Sequence, residues 1–239
     1  MKYFIPVIFL VGACSAQPEK TIRIAAASSL KNSLDSVISQ IKSTQGYEIA
    51  VSYGGSQLLL SQIENGADYD IFISASEQQS NMLLQKKMIS NDQIKNILTN
   101  KLILVSSDLN LKNNWMKKAN SLKWSLGNKS VPVGFYSEQV IKNLKLKIPA
   151  ENIIYSENVR QVVEIVRKKE ADLSIIYETD YLQFKQDLEI IEILPDTLHE
   201  KIIYPEIILN TKSEQVKKVF QLIADSSQSI LKHYGFSKF

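Results

Sequence analysis

From Thr21 onward the chain alternates short apolar runs, rich in isoleucine and valine, with stretches whose apolar residues recur at helical spacing. Thr21-Ile22-Arg23-Ile24-Ala25-Ala26 is strand-like, and it gives way to Leu30, Leu34, Val37, Ile38 and Ile41, which share one face of a helix. The same change of period returns twice. Glu48 to Tyr53 precedes a helix near Gln57 to Glu64, and Asp70 to Ser74 precedes another from about Glu77. It restarts at Lys101 to Ser106, with strands expected at Val131 to Val133, Asn152 to Tyr155, Asp172 to Tyr177 and Leu188 to Leu194, and helices between most of them. Lys201 to Leu209 is strand-like, although Pro205 removes one ladder donor and favours an edge or crossing position. A single closing helix is expected from Ser213 to His233. Strands alternating with helices in this way predict an α/β chain built on parallel sheet.

The amino terminus breaks this rhythm. Lys2 precedes the apolar run Phe4 to Val11, which is too short to remain in a bilayer as a spanning helix and reads as a signal peptide over residues 1–13. The run ends in Val11-Gly12-Ala13-Cys14, which resembles the lipobox of bacterial lipoproteins, so Cys14 is the expected lipidation site. Cys14 is also the only cysteine, which rules out an internal disulfide, and its place directly after the apolar run argues against a catalytic thiol. Ser15 to Lys20 is polar enough to serve as a tether, and folding should begin near Thr21. Extracytoplasmic location with a lipid anchor follows.

Composition narrows the picture further. The 239 residues are 44% hydrophobic and 22% charged, which suits a globular protein with a substantial core. The net charge of +3 arises from 28 basic and 25 acidic residues spread along the chain, without the dense basic stripe of a nucleic-acid surface. Clusters such as Arg167-Lys168-Lys169 sit on or beside amphipathic helical patterns and read as solvated faces.

Candidate chemistry gathers at four strand-to-helix turns: Ala27-Ser28-Ser29, Gly54-Gly55-Ser56, Pro132-Val133-Gly134 and Ser156-Glu157-Asn158-Val159. In open α/β sheets such turns lie beyond the carboxyl ends of strands, where helix amino termini present free N–H groups and partial positive charge, a setting that suits an anion. Each residue also has a plainer reading. Ser29 and Ser56 can be N-caps that satisfy their own helices, Gly54-Gly55 a tight turn, and Tyr177 a core aromatic with a bonded tip. A serine hydrolase is disfavoured, because neither serine lies in Gly-x-Ser-x-Gly and only His199 and His233 could act as imidazole bases. Both histidines are expected at the surface, and no catalytic or metal-ligating side chain is assigned.

Taken together, these segments resemble the periplasmic molybdate-binding proteins of ABC importers. The resemblance is carried by Ala27-Ser28-Ser29-Leu30 with Asn32, Tyr53-Gly54-Gly55-Ser56, Gln62 to Ala67 leading into Asp70 to Ala75, and Val131-Pro132-Val133-Gly134-Phe135-Tyr136. It continues through Asn158-Val159-Arg160, Ile176 to Asp180, Tyr204-Pro205 and Tyr234-Gly235-Phe236. Val133 and Asn158 stand where the family usually has alanine and aspartate.

The resemblance implies an α/β, two-lobed type II periplasmic binding protein fold, each lobe a mainly parallel sheet flanked by helices, with the ligand in the interlobe cleft. Residues 21–100 and 205–239 would form the first lobe and residues 101–204 the second, hinged near Lys101 to Ser106 and Ile202 to Leu209. It implies oxyanion contacts from Ser29, Ser56, Val133, Val159 and Tyr177, the valines through backbone N–H alone. The implied ligand is molybdate or tungstate, bound as an oxyanion with no cofactor. The implied partner is the membrane permease, and the protein is expected to be a monomer that binds no nucleic acid. Sulfate or another tetrahedral oxyanion is the alternative cargo, and a structural surface lipoprotein is the remote one.

Overall fold

The computed structural model describes residues 21–226 and 229–239. The apolar leader, Cys14 and the polar stretch up to Lys20 lie outside the described residues. The described chain starts with β1 (Ile22–Ala27), α1 (Lys31–Gln45), β2 (Ile49–Gly54), α2 (Ser56–Glu64), β3 (Ile71–Ile73), α3 (Glu77–Gln85) and β4 (Ile94–Asn100). A second half follows with β5 (Leu102–Ser106), α4 (Trp115–Lys118), β6 (Trp124–Gly127), α5 (Pro132–Asn143), β7 (Ile153–Ser156), α6 (Val159–Arg167), β8 (Leu173–Tyr177), α7 (Glu178–Phe184) and β9 (Glu189–Ile193). The chain then returns through β10 (Ile202–Ile208), α8 (Glu214–Ser226), α9 (Ile230–His233) and β11 (Ser237–Lys238).

These strands form two sheets, one of six strands in the order β11-β4-β10-β3-β1-β2 and one of five in the order β7-β6-β8-β5-β9. Each has a parallel core, β2-β1-β3 in the first and β7-β6-β8 in the second, extended by antiparallel strands on the side where the chain crosses between sheets. The sheets are therefore more mixed than strand–helix alternation alone suggests. Helices cover both faces of the parallel cores, so β3, β6 and β8 are buried along their whole length and show no in–out alternation, and the neighbouring antiparallel β5 is equally buried. Helices reveal their buried stripes more plainly. In α6, Val159, Val162, Val163 and Val166 face the core.

Three expectations need correction. Val131 to Val133 is not a strand: Val131 is the N-cap of α5 and Pro132 its first residue, where a missing N–H costs nothing. The strand of this unit is the earlier β6. The closing segment is two helices, α8 and α9, rather than one. Finally, β10 pairs with β4 from Ile202 onward, so the chain has rejoined the first sheet before the 204/205 boundary. Pro205 is accommodated inside β10 because the register shifts between Tyr204 and Pro205.

Next to that proline, Glu206 is fully buried on β10 with both carboxylate oxygens lacking a hydrogen-bond partner among the described residues. Burial pushes its pKa well above the usual carboxylate range, against the pull of Lys95 and with Asp225 adding to the rise. The folded state therefore takes up a proton that the unfolded chain releases near its ordinary value. Stability should fall as pH rises from that ordinary value towards the raised one, by up to about 1.4 kcal/mol per pH unit. Glu206→Gln should flatten this slope, and its thermal midpoint should exceed that of the unaltered protein at pH 8 more than at pH 5. Parallel melting curves at the two pH values check this.

Candidate functional site

The turns singled out in the sequence meet in one pocket. Its lining includes Ala27, Ser28 and Ser29 at the end of β1 and just after it, Gly54, Gly55 and Ser56 where β2 passes into α2, Val131 to Val133 at the start of α5, Asn158 and Val159 at the start of α6, and Tyr177 at the end of β8. Ala75, just after β3, completes the first sheet's side. The pocket encloses about 230 Å³ of empty space with its mouth included, and no lining residue carries a formal charge. All five residues expected to contact the ligand are in this lining, and all are buried.

Backbone donors converge from three helix starts. Ser56 is the first residue of α2 and Val159 the first of α6, while Val133 is the second of α5, so none of their N–H groups has an acceptor within its own helix. Close packing holds the α5 start in place. A Cβ added at Gly134 would come within 2.0 Å of the Asn128 carbonyl oxygen, so only glycine lets the helix start sit this close to the end of β6. Asn158 caps α6 by accepting from Gln161 N–H at 3.1 Å.

The serine hydroxyls do not cap their helices. Ser56 Oγ accepts the Ala75 N–H at 3.1 Å, which occupies a lone pair and leaves its hydrogen to be donated. Ser29 Oγ lies 3.1 Å from Tyr204 Oη. Tyr177 is nearly solvent-free, yet its hydroxyl has no hydrogen-bond partner among the described residues, and burial raises its pKa well above the ordinary phenol value. An unpaired phenol at such a site is costly unless something else accepts from it. The core-aromatic reading leaves that hydroxyl unexplained.

Two contacts join the halves across the mouth. Arg160, on α6, donates from Nε to Ser28 O at 3.2 Å and from Nη2 to Gln183 Oε1 at 2.7 Å, with a longer contact of 3.4 Å to Asn32 Oδ1. Gly55 packs so tightly on the Glu157 carbonyl that a Cβ there would lie 2.2 Å from that oxygen. Behind Arg160, 3.6 Å from its Nε, sits the fully buried Asp180, whose carboxyl burial pushes up to about 7 although Arg160 opposes the shift. Below that pH Asp180 is mostly neutral and places little negative charge behind the pocket.

His199 is not a surface residue: it is buried, with Nδ1 2.7 Å from Glu200 O and its ring edge-on to Tyr136. His233 is exposed. Neither histidine is in the pocket lining. Sequence reasoning missed the parts played by Ala75, Tyr204 and the Arg160 bridge. Tyr204 and Arg160 stand inside segments that carry the family resemblance, but nothing local in the sequence shows what their side chains touch.

Two sheets joined at an uncharged pocket of hydroxyl and N–H donors have the form of a solute-binding protein, and helix starts of this kind suit an anion. The chain belongs to the bacterial extracellular solute-binding protein family, whose model matches residues 22–237. It is 27% identical over 241 residues to the molybdate-binding protein ModA of Escherichia coli (strain K12), covering 96% of this chain and 93% of that protein. It is 31% identical over 245 residues to the putative ABC transporter substrate-binding lipoprotein YvgL of Bacillus subtilis (strain 168), covering 95% and 93%. Among solved structures, the substrate-binding domain of a putative molybdenum ABC transporter from Clostridium difficile aligns with a TM-score of 0.68 at 28% identity, covering 92% of this chain and 99% of that one.

Proposed function

We propose that this protein is the substrate-binding component of an ABC importer for molybdate, with tungstate as a second ligand, and that it hands its cargo to a membrane permease without chemical change. The observation that carries this reading is the donor set. N–H groups of three helix starts, two serine hydroxyls and an unsatisfied tyrosine hydroxyl meet in a pocket without a charged lining residue. A dianion can leave water for such a site because many charge-assisted hydrogen bonds replace its hydration. Phosphate near neutral pH keeps an O–H that needs an acceptor, which this lining offers poorly. Sulfate lacks that proton but is smaller, and would leave some donors out of reach.

Calorimetric titration of residues 20–239 tests the reading. Molybdate and tungstate should bind one to one, sulfate weakly and phosphate least. Preference for phosphate or sulfate over molybdate would contradict it. In the same assay Tyr177→Phe, which removes one donor and keeps the ring, should weaken molybdate binding about ten- to a hundredfold. An unchanged affinity would return Tyr177 to a packing role.

We further propose that Cys14 carries a lipid that anchors the extracytoplasmic protein to a membrane. The supporting features are the short apolar leader and its Val11-Gly12-Ala13-Cys14 ending, together with a B. subtilis relative described as a lipoprotein. Metabolic labelling with a fatty acid should mark the unaltered protein and not Cys14→Ser. Equal labelling of both would overturn the assignment.

A further inference from the structure

The contact between Ser29 Oγ and Tyr204 Oη can be made with either oxygen as donor, and the choice decides what Ser29 offers the pocket. The surrounding bonds resolve it. Lys101 N–H, which can only donate, reaches Asn100 Oδ1 at 2.9 Å and so fixes which end of the Asn100 amide is oxygen. The amide nitrogen then faces Thr179 Oγ1 at 2.9 Å and Tyr204 Oη at 3.2 Å, one hydrogen for each. Because Tyr204 Oη accepts from Asn100, its single hydrogen is directed to the other neighbour, Ser29 Oγ. Ser29, once it accepts from Tyr204, can send its own hydrogen only towards the pocket.

We propose that Asn100 and Tyr204 are positioning residues that lock Ser29 as a hydrogen-bond donor and thereby enforce the preference for oxyanions that carry no proton. The inference rests on the oxyanion-binding reading and deepens it. The three side chains of the relay, Asn100, Tyr204 and Ser29, are buried, so water does not readily scramble its direction. The relay also sits where the chain crosses between sheets: Asn100 ends β4 and Tyr204 is in β10, with Thr179 beside them as the second residue of α7. Ser56 is set the same way by a backbone donor, the Ala75 N–H. If Ser29 accepted from a ligand O–H, its own hydrogen would be left buried without an acceptor, which is the penalty a protonated oxyanion meets.

Asn100→Asp tests the relay, because a carboxylate accepts from Tyr204, turns that hydroxyl away from Ser29 and frees Ser29 to accept from a ligand. Asn100→Ala removes the lock without adding charge. Thr179→Val disturbs the same cluster but leaves the Asn100–Tyr204–Ser29 direction unchanged. The readout is the ratio of the dissociation constants for phosphate and molybdate, measured by calorimetry at one pH on each folded variant. Added charge weakens both anions together, whereas reversed polarity changes their ratio. The ratio should fall about tenfold or more in Asn100→Asp and in Asn100→Ala, and stay near the unaltered value in Thr179→Val. Unaltered protein that binds molybdate while both Asn100 variants keep its ratio would overturn the relay alone. Failure of the unaltered protein to bind molybdate would overturn the reading of the site and the relay with it.

Discussion

Replacing Ser29 and Ser56 together by alanine should lower molybdate affinity by about two to four orders of magnitude. Each hydroxyl supplies one hydrogen bond to a charged oxygen, and such bonds contribute about 1.5 to 3 kcal/mol apiece. Every factor of ten in affinity corresponds to about 1.4 kcal/mol, so two lost donors give the stated range. Stability should change for a different reason than loss of capping, since neither hydroxyl caps its helix. Ser56→Ala strands the Ala75 N–H and Ser29→Ala strands the Tyr204 hydrogen, both in buried surroundings. The double variant should still fold, with a lowered thermal midpoint and a midpoint shift on adding molybdate that nearly vanishes. A wild-type dissociation constant in that variant would remove both serines from the site.

Gly55→Ala should weaken binding by about a hundredfold or more while leaving the free protein nearly as stable as before. Gly55 has φ −65° and ψ 134°, which any residue adopts, so the added methyl strains nothing locally. Its obstacle is the Glu157 carbonyl on the opposite half, 2.2 Å from the new Cβ, and a backbone oxygen held at the start of α6 does not swing aside. The two halves must then stay apart by roughly an ångström more than in this structure. Hydrogen bonds tolerate little of that, so Ser56 and Tyr177, on opposite sides, cannot both reach one small anion. With the halves apart the methyl meets nothing, and the change in stability should be within about 1 kcal/mol. Calorimetry and thermal melting of the same sample separate the two effects. Equal loss of stability and affinity would show that Gly55 matters to the fold rather than to closure.

Much of this arrangement is legible in the sequence. Helical spacing marked the buried face of α1 through Leu34, Val37, Ile38 and Ile41, all of which lie in the core. The polar turns after β1, β2 and β7 were visible because small and hydroxyl residues stood out between apolar runs. What escaped reading has physical causes. β6 is four residues long and buried throughout, so it gives no alternating pattern, whereas the valines around Pro132 imitate a strand although they open a helix. β4 has a ragged exposure pattern and produced no expectation. The Ser29 relay joins residues 175 positions apart, and Glu206 hides in an ordinary strand run, so neither is marked by local sequence. His199 sits among polar neighbours in sequence but is buried against Tyr136, because contact across space decides burial.

If a single tetrahedral oxyanion sits between the two halves on neutral donors, crystals grown with molybdate and measured on both sides of the molybdenum absorption edge locate its metal atom directly. One strong anomalous peak should lie in the pocket, with anion oxygens about 2.7 to 3.1 Å from Ser29 Oγ, Ser56 Oγ, Val133 N, Val159 N and Tyr177 Oη. A peak elsewhere on the protein, or none in crystals saturated with molybdate, would contradict that binding mode.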